Sequence, residues 1–112
     1  MINRLALYIL TFVLFSMFLL AETSQEVRIK TSAQCEQCKD RIEKALNKSK
    51  GVISSELDLE TKEVKVVFDS EQTDIEKIKE VISKTGYDAD DVPANKKAYK
   101  KLPKCCQKGG HD

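Results

Sequence analysis

Between Val27 and Thr31 the chain alternates, Val27, Ile29 and Thr31 against Arg28 and Lys30, which is the period-two pattern of a half-buried strand. From Cys38 the period lengthens. Ile42, Ala45 and Leu46 follow Cys38 on one helical face, with Glu36, Lys39, Asp40, Glu43 and Lys44 largely on the others, so the spacing predicts an amphipathic helix closed at Lys50-Gly51. Ile53, Ser55, Leu57 and Leu59 share one parity and predict a second strand. Val64, Val66 and Phe68 predict a third, and the short link Glu60-Thr61-Lys62-Glu63 makes the two a hairpin. Asp74 is placed to cap a second amphipathic helix built on Ile75, Ile78, Val81 and Ile82 and closed by Gly86. Tyr87 to Val92 is the last and shortest strand, diluted by Asp88, Asp90 and Asp91. The order strand, helix, hairpin, helix, strand predicts an α+β, ferredoxin-like βαββαβ fold, a four-stranded antiparallel sheet with two helices on one face.

Two segments flank this domain, which spans 22–92. Met1 to Arg4 is short and positive and Leu5 to Ala21 carries no charge, so residues 1–21 read as a secretory signal peptide cleaved after Ala21. Leu19 is not the small residue such a site prefers, and a largely apolar, uncharged run of seventeen residues approaches the roughly 20 that span a bilayer. An uncleaved N-terminal membrane anchor is the alternative. Either way the protein is expected outside the cytosol, in the periplasm, with membrane contact only through an uncleaved segment. In the tail, 93–112, Ala94, Ala98 and Leu102 recur at four-residue spacing beside Tyr99, enough for two helical turns before Pro103. So short a helix forms only if it packs on the domain, which makes Tyr99 and Leu102 its docking residues; a disordered tail is the alternative.

Net charge is +1, which argues against nucleic acid as a partner. Its distribution is uneven. Residues 22–92 carry −5 and residues 93–112 carry +5, six lysines against Asp112. The tail can therefore lean on its own domain or on anionic lipid, or simply stay solvated.

The chemistry gathers at Cys35 and Cys38, where the first strand runs into the first helix. A helix start leaves N–H groups unpaired and carries partial positive charge, which favours thiolate over thiol. Two thiolates can close on one soft ion that accepts two or three ligands, Cu(I) or Hg(II), whereas zinc prefers four. The same spacing also fits a redox dithiol, half a zinc site or a structural disulfide. Cys105 and Cys106 are adjacent, and thirteen residues from Val92 to Cys105 reach up to roughly 40 Å, so they can join the loop as further ligands or exchange disulfides with it. His111 could add a nitrogen ligand or be an ordinary chain-end residue.

Taken with Lys50-Gly51-Val52, the hairpin from Leu57-Asp58-Leu59-Glu60 to Val64-Lys65-Val66 and Thr85-Gly86-Tyr87-Asp88-Ala89, this placement of Cys35-x-x-Cys38 resembles the heavy-metal-associated domain family of copper chaperones, copper-ATPase metal-binding domains and periplasmic mercury-binding proteins. The resemblance covers Glu26 to about Val92. It implies that both sulfurs bind one soft ion at an exposed loop and pass it by ligand exchange to a metal-transporting ATPase, a transporter or another metal-binding domain. The family usually carries methionine two positions before its first cysteine, where Ala33 stands here; that methionine resembles a packing residue, so the change bears on loop rigidity and metal preference. Tyr87 falls where bacterial members carry a tyrosine that packs over the loop, or it is an ordinary core aromatic.

The leading expectation is therefore an exported metal-binding and transfer protein, not an enzyme, with Cu(I) first and Hg(II), Cd(II) or Zn(II) behind it. One Cu(I) on two thiolates leaves −1, which the helix N-terminus and Lys39 are placed to offset. A periplasmic thiol–disulfide oxidoreductase is the enzymatic alternative, but such a protein needs a thioredoxin-like βαβ unit ahead of the motif's strand and usually a cis-proline facing the dithiol, and Pro93 and Pro103, the only prolines, both lie in the tail. A structural module with its cysteines in disulfides is the third.

Overall fold

In the computed structural model, which describes residues 3–9, 11 and 23–108, the first alternation becomes strand β1 (Ser24–Lys30), with Ile29 fully buried. Helix α1 (Glu36–Asn47) buries Cys38, Ile42 and Leu46, the stripe at four-residue spacing. Strands β2 (Val52–Asp58) and β3 (Glu63–Asp69) follow, then helix α2 (Ile75–Thr85), a short helix α3 (Lys96–Lys100) and a 3₁₀ turn at Lys104–Cys106. The sheet is antiparallel in the order β1-β3-β2. As the central strand, β3 has the cleanest alternation, burying Val64, Val66 and Phe68. These pack with Ile29, Leu57, Ile42, Leu46, Ile78 and Ile82 into one core. Each such side chain contributes about 1.5–3 kcal/mol on leaving water.

Helix α2 starts and stops as the sequence predicts. Asp74 accepts a hydrogen bond from the Lys77 N–H at 2.9 Å, and Gly86 closes the helix at φ 109°. Helix α1 ends earlier than predicted, at Asn47, with Lys48 as its right-handed cap. Gly51, at φ 87°, instead makes the turn into β2, because a Cβ there would lie 2.9 Å from Gln72 Cβ and Thr73 Cγ2.

Two strand expectations are corrected. Ile53 is 62% exposed, because a bulge between Val52 and Ser54 inserts it as an extra residue. Val52, Ser55 and Leu57 then oppose the buried Phe68, Val66 and Val64, and Leu59 falls in the hairpin turn. The fourth strand is reduced to single bridges of Ala89 with Thr31 and with Val92. Asp90 adopts φ 51° and turns the chain back, so Ala89 and Val92 exchange N–H···O bonds of 2.9 Å with each other. Asp90 still closes the edge of β1: its N–H donates to Lys30 O and its Oδ1 accepts from Lys30 N, both at 2.8 Å.

As far as Lys108 the tail packs against the domain. Its helix is only Lys96–Lys100, shorter than the predicted 94–102, but Leu102 enters the core at 7% exposure and Tyr99 packs beside it. Most of the expected signal peptide or anchor, and His111, lie outside the described residues; residues 4–9 are helical. Among the described residues no helix is long and apolar enough to cross a membrane.

Candidate metal centre

The loop that carries Cys35 is held from both sides. Thr31 ends β1 with its N–H and its hydroxyl both donating to Lys62 O, at 2.9 and 2.8 Å, while the same hydroxyl accepts from Ala33 N. Ser32 Oγ accepts from the Asp88 N–H at 2.9 Å, and Ala33 is fully buried. Cys35 is the N-cap of α1, with extended backbone and no side-chain capping bond. A serine or aspartate would take the first-turn N–H groups; here their partial positive charge remains available to sulfur.

All four cysteines are free thiols and stand together. Cys35 Sγ lies 3.2 Å from Cys38 Sγ, 3.7 Å from Cys106 Sγ and 3.9 Å from Cys105 Sγ. Cys105 Sγ is also 3.3 Å from Gln37 Oε1. Cys38 and Cys106 are buried, whereas Cys35 and Cys105 keep access to solvent. The expected site residues are thus brought into one cluster, with an inner and an outer pair.

Their ionisation is uneven. Burial opposes a charge on Cys38, but hydrogen bonding from Cys106 and the Gln34 backbone, with smaller help from the nearby Tyr87 hydroxyl and from Cys35, outweighs it, bringing the thiol down to about 7. Burial, then the hydrogen bond it gives to Cys38, pushes Cys106 up. Burial also pushes Cys35 up. These directions make Cys38 the sulfur of the cluster that ionises most readily, with Cys106 as a hydrogen-bond donor to it.

Tyr87 is wholly buried, and its hydroxyl reaches no partner at hydrogen-bond geometry. The polar groups it faces are the Cys38 and Cys106 sulfurs, and burial ahead of those contacts raises its pKa far out of the working range. The contact therefore stops short of a formed bond, leaving a donor aimed at sulfur. Lys39, expected to offset the charge of the site, is engaged elsewhere: its ammonium is 2.9 Å from Glu43 Oε2 and 3.2 Å from Leu57 O. The neighbouring carboxylate is the closer and stronger partner, so compensation rests on the start of α1.

The sequence reading missed the fastenings of the tail. Asp88, read only as a residue that dilutes a strand, accepts from Ala94 N at 2.9 Å and from Lys108 Nζ at 2.8 Å while its own N–H holds Ser32. Asn95 caps α3 by accepting from Ala98 N, and its N–H donates to Ser83 O. Tyr99 Oη accepts from Lys108 N at 2.8 Å. Opposite charges on tail and domain were the available signal, but they name no partners.

The heavy-metal-associated domain matches residues 28–88, more than half of the chain, beginning within β1 and ending at Asp88. The chain belongs to the heavy-metal-associated domain family. Among relatives of this domain, the copper chaperone CopZ of Staphylococcus haemolyticus is 41% identical over 54 residues, 48% of this chain and 79% of that protein. A copper-exporting P-type ATPase of Staphylococcus aureus is 42% identical over 66 residues, 59% of this chain but only 8% of the ATPase. The crystal structure of oxidized MerP from Ralstonia metallidurans superposes with a TM-score of 0.57 at 27% identity, covering 59% of this chain and 93% of MerP. These matches cover about half to three fifths of the chain. The family match stops at residue 88, so Cys105 and Cys106 lie beyond it.

Proposed function

We propose that this protein binds one soft metal ion through Cys35 and Cys38 and passes it to a second metal-binding domain by thiolate exchange, with Cu(I) as its first cargo. The observation that carries the reading is the pair of sulfurs 3.2 Å apart at an uncapped helix start, one buried and one reachable, in a member of this family. The copper chaperone and copper-exporting ATPase among its relatives support Cu(I), and the likeness to MerP, which has also been solved in a mercury-bound form, supports Hg(II) as a second cargo, ahead of Cd(II) or Zn(II).

Chemically the transfer needs no net oxidation. The ion leaves as an incoming thiolate bonds to it and a Cys35 or Cys38 bond breaks, through a three-coordinate state that Cu(I) accepts readily. Reachable Cys35 is the natural point of entry for the partner's sulfur. The role is carriage, not catalysis, and the partner is a metal-transporting ATPase, a transporter or another such domain. The uncharged run from Leu5 to Ala21 supports export to the periplasm, with the segment either removed or retained as an anchor.

Anaerobic titration of the reduced full chain with Cu(I) against a competing chelator tests the reading. Cys35→Ser is expected to lower affinity by about 100-fold or more, because it removes the reachable sulfur that closes the pair on the ion and that every neighbouring thiol approaches. Unchanged affinity overturns it, and disulfide-reductase activity without Cu(I) binding would favour a redox protein.

A further inference from the structure

Three of the four sulfurs mark out a triangle with nearly equal sides. Cys35 lies 3.9 Å from Cys105 and 3.7 Å from Cys106, and Cys105 and Cys106 are 3.9 Å apart. With a mean side of about 3.8 Å, the centre of this triangle lies about 2.2 Å from each sulfur, close to a metal–thiolate bond of about 2.3 Å. The three donors are already spaced for one ion in a trigonal site. Cys38 approaches Cys35 but stands outside this group.

The triangle is built rather than left to a mobile tail. Cys106 is 2% exposed, its N–H is bonded to Pro103 O at 2.8 Å, and Leu102 just before it is in the core. The buried Tyr87 hydroxyl, unpartnered and facing the Cys106 and Cys38 sulfurs, is a second and independent sign. A metal-bound thiolate at Cys106 would supply the acceptor this donor lacks.

We infer that Cys35, Cys105 and Cys106 form a trigonal three-thiolate site for Cu(I), which shares Cys35 with the Cys35–Cys38 pair and rests on the reading of that pair as a metal carrier. The ion passes between the two arrangements without change of oxidation state. The bond to Cys38 breaks and Cys38 takes up a proton; bonds to Cys105 and Cys106 form and each loses one, so one proton goes to solvent. The three-sulfur state holds the ion more firmly than two sulfurs do, and the docked tail becomes the carrier's own resting acceptor.

The test is X-ray absorption at the copper edge on the reduced full chain, kept anaerobic in mild detergent and loaded with one equivalent of Cu(I). Three Cu–S contacts at about 2.2–2.3 Å are expected. Cys105→Ser/Cys106→Ser should give two shorter contacts and an affinity lower by about tenfold or more against a competing chelator, while Cys38→Ser keeps three. Because Cys106 is buried, Cys105→Ser alone is the second variant; it leaves the packing intact and should also remove a sulfur neighbour. Two contacts in the unaltered chain, or no change on removing both tail thiols, overturns the inference and leaves the Cys35–Cys38 carrier standing. Failure of the unaltered chain to take up Cu(I) overturns both.

Discussion

Lys108 donates to Asp88 at 2.8 Å, and that bond joins the last described residue of the tail to the residue after Tyr87. The same carboxylate accepts from Ala94 N, so the entrance of the tail and Lys108 share one anchor. The Lys108 bond, ahead of the Ala94 bond, holds the Asp88 carboxyl below its ordinary value of 3.8. A carboxyl depressed by folding stabilises the structure at higher pH. Its contribution is complete above about the ordinary value and is lost as pH falls through the lower folded one. Both side chains are partly exposed, so the pair is worth about 0.5–1 kcal/mol and weakens with salt. Asp88→Asn should free the tail at neutral pH, read as faster tryptic cleavage at Lys100, Lys101 and Lys104; an unchanged cleavage rate would count against the anchor.

Gly86 carries two demands at once. Its φ of 109° is one that side chains rarely adopt, and an added Cβ would lie 3.2 Å from the Ala98 carbonyl and Leu102 Cδ1. Gly86→Ala is expected to cost about 1–3 kcal/mol, more than the roughly 1 kcal/mol of an ordinary helix-end change. Thermal unfolding reads the loss, and proteolysis of the tail separates crowding of α3 from strain at the cap.

For Tyr87 the sign of the effect on the free protein is the test. Tyr87→Phe removes a hydroxyl that is buried without a partner, so metal-free stability should hold or rise by up to about 1 kcal/mol. Cu(I) affinity should fall, since the donor facing Cys38 and Cys106 is lost. A marked loss of metal-free stability would mean that the hydroxyl is bonded in solution.

The loop and tail cysteines should couple. Cys38→Ser and Cys105→Ser/Cys106→Ser each leave a set of sulfurs that holds Cu(I), whereas the triple variant leaves Cys35 alone. Its loss of affinity is expected to exceed the sum of the two partial losses by about tenfold or more, a non-additivity expected of groups that share one ligand. Strict additivity in competition titrations would show that the two sets do not share Cys35.

The fold itself should not wait for the ion. Nine aliphatic and aromatic side chains from the sheet and two helices make up most of the core, with Cys38 and Cys106 packed among them. Circular dichroism of the reduced, metal-free chain is expected to show helix and strand already formed, unlike a zinc finger, which folds on its metal.

Periodicity revealed most where one element faces one environment. Cys38, Ile42 and Leu46 recur at helical spacing and are all buried, and β3 alternates cleanly because neighbours flank it on both edges. Ile53 misled because a one-residue bulge changes parity within a strand, and Ser54-Ser55 gives no apolar signal to reveal the shift. The last strand failed on a single dihedral at Asp90, a residue type that tolerates the left-handed region without announcing it. Whether the tail docks was open from sequence because a five-residue helix has no stability of its own. Only the placement of Leu102, Asp88 and Lys108 decides it. The four-sulfur cluster was within reach of the chain length but depends on that docking.

Both outer strands of this sheet are occupied by side chains as well as by backbone. On β1, Asp90 meets the N–H and the carbonyl of Lys30. On β2, Glu43 Oε2 accepts from Leu57 N at 3.0 Å while Lys39 Nζ donates to Leu57 O. A visiting strand cannot add at either point without first expelling a charged group. The carrier role proposed above needs contacts that form briefly and let go, and these plugs oppose backbone-to-backbone pairing at Lys30 and Leu57, the kind of adhesion that would outlast an exchange.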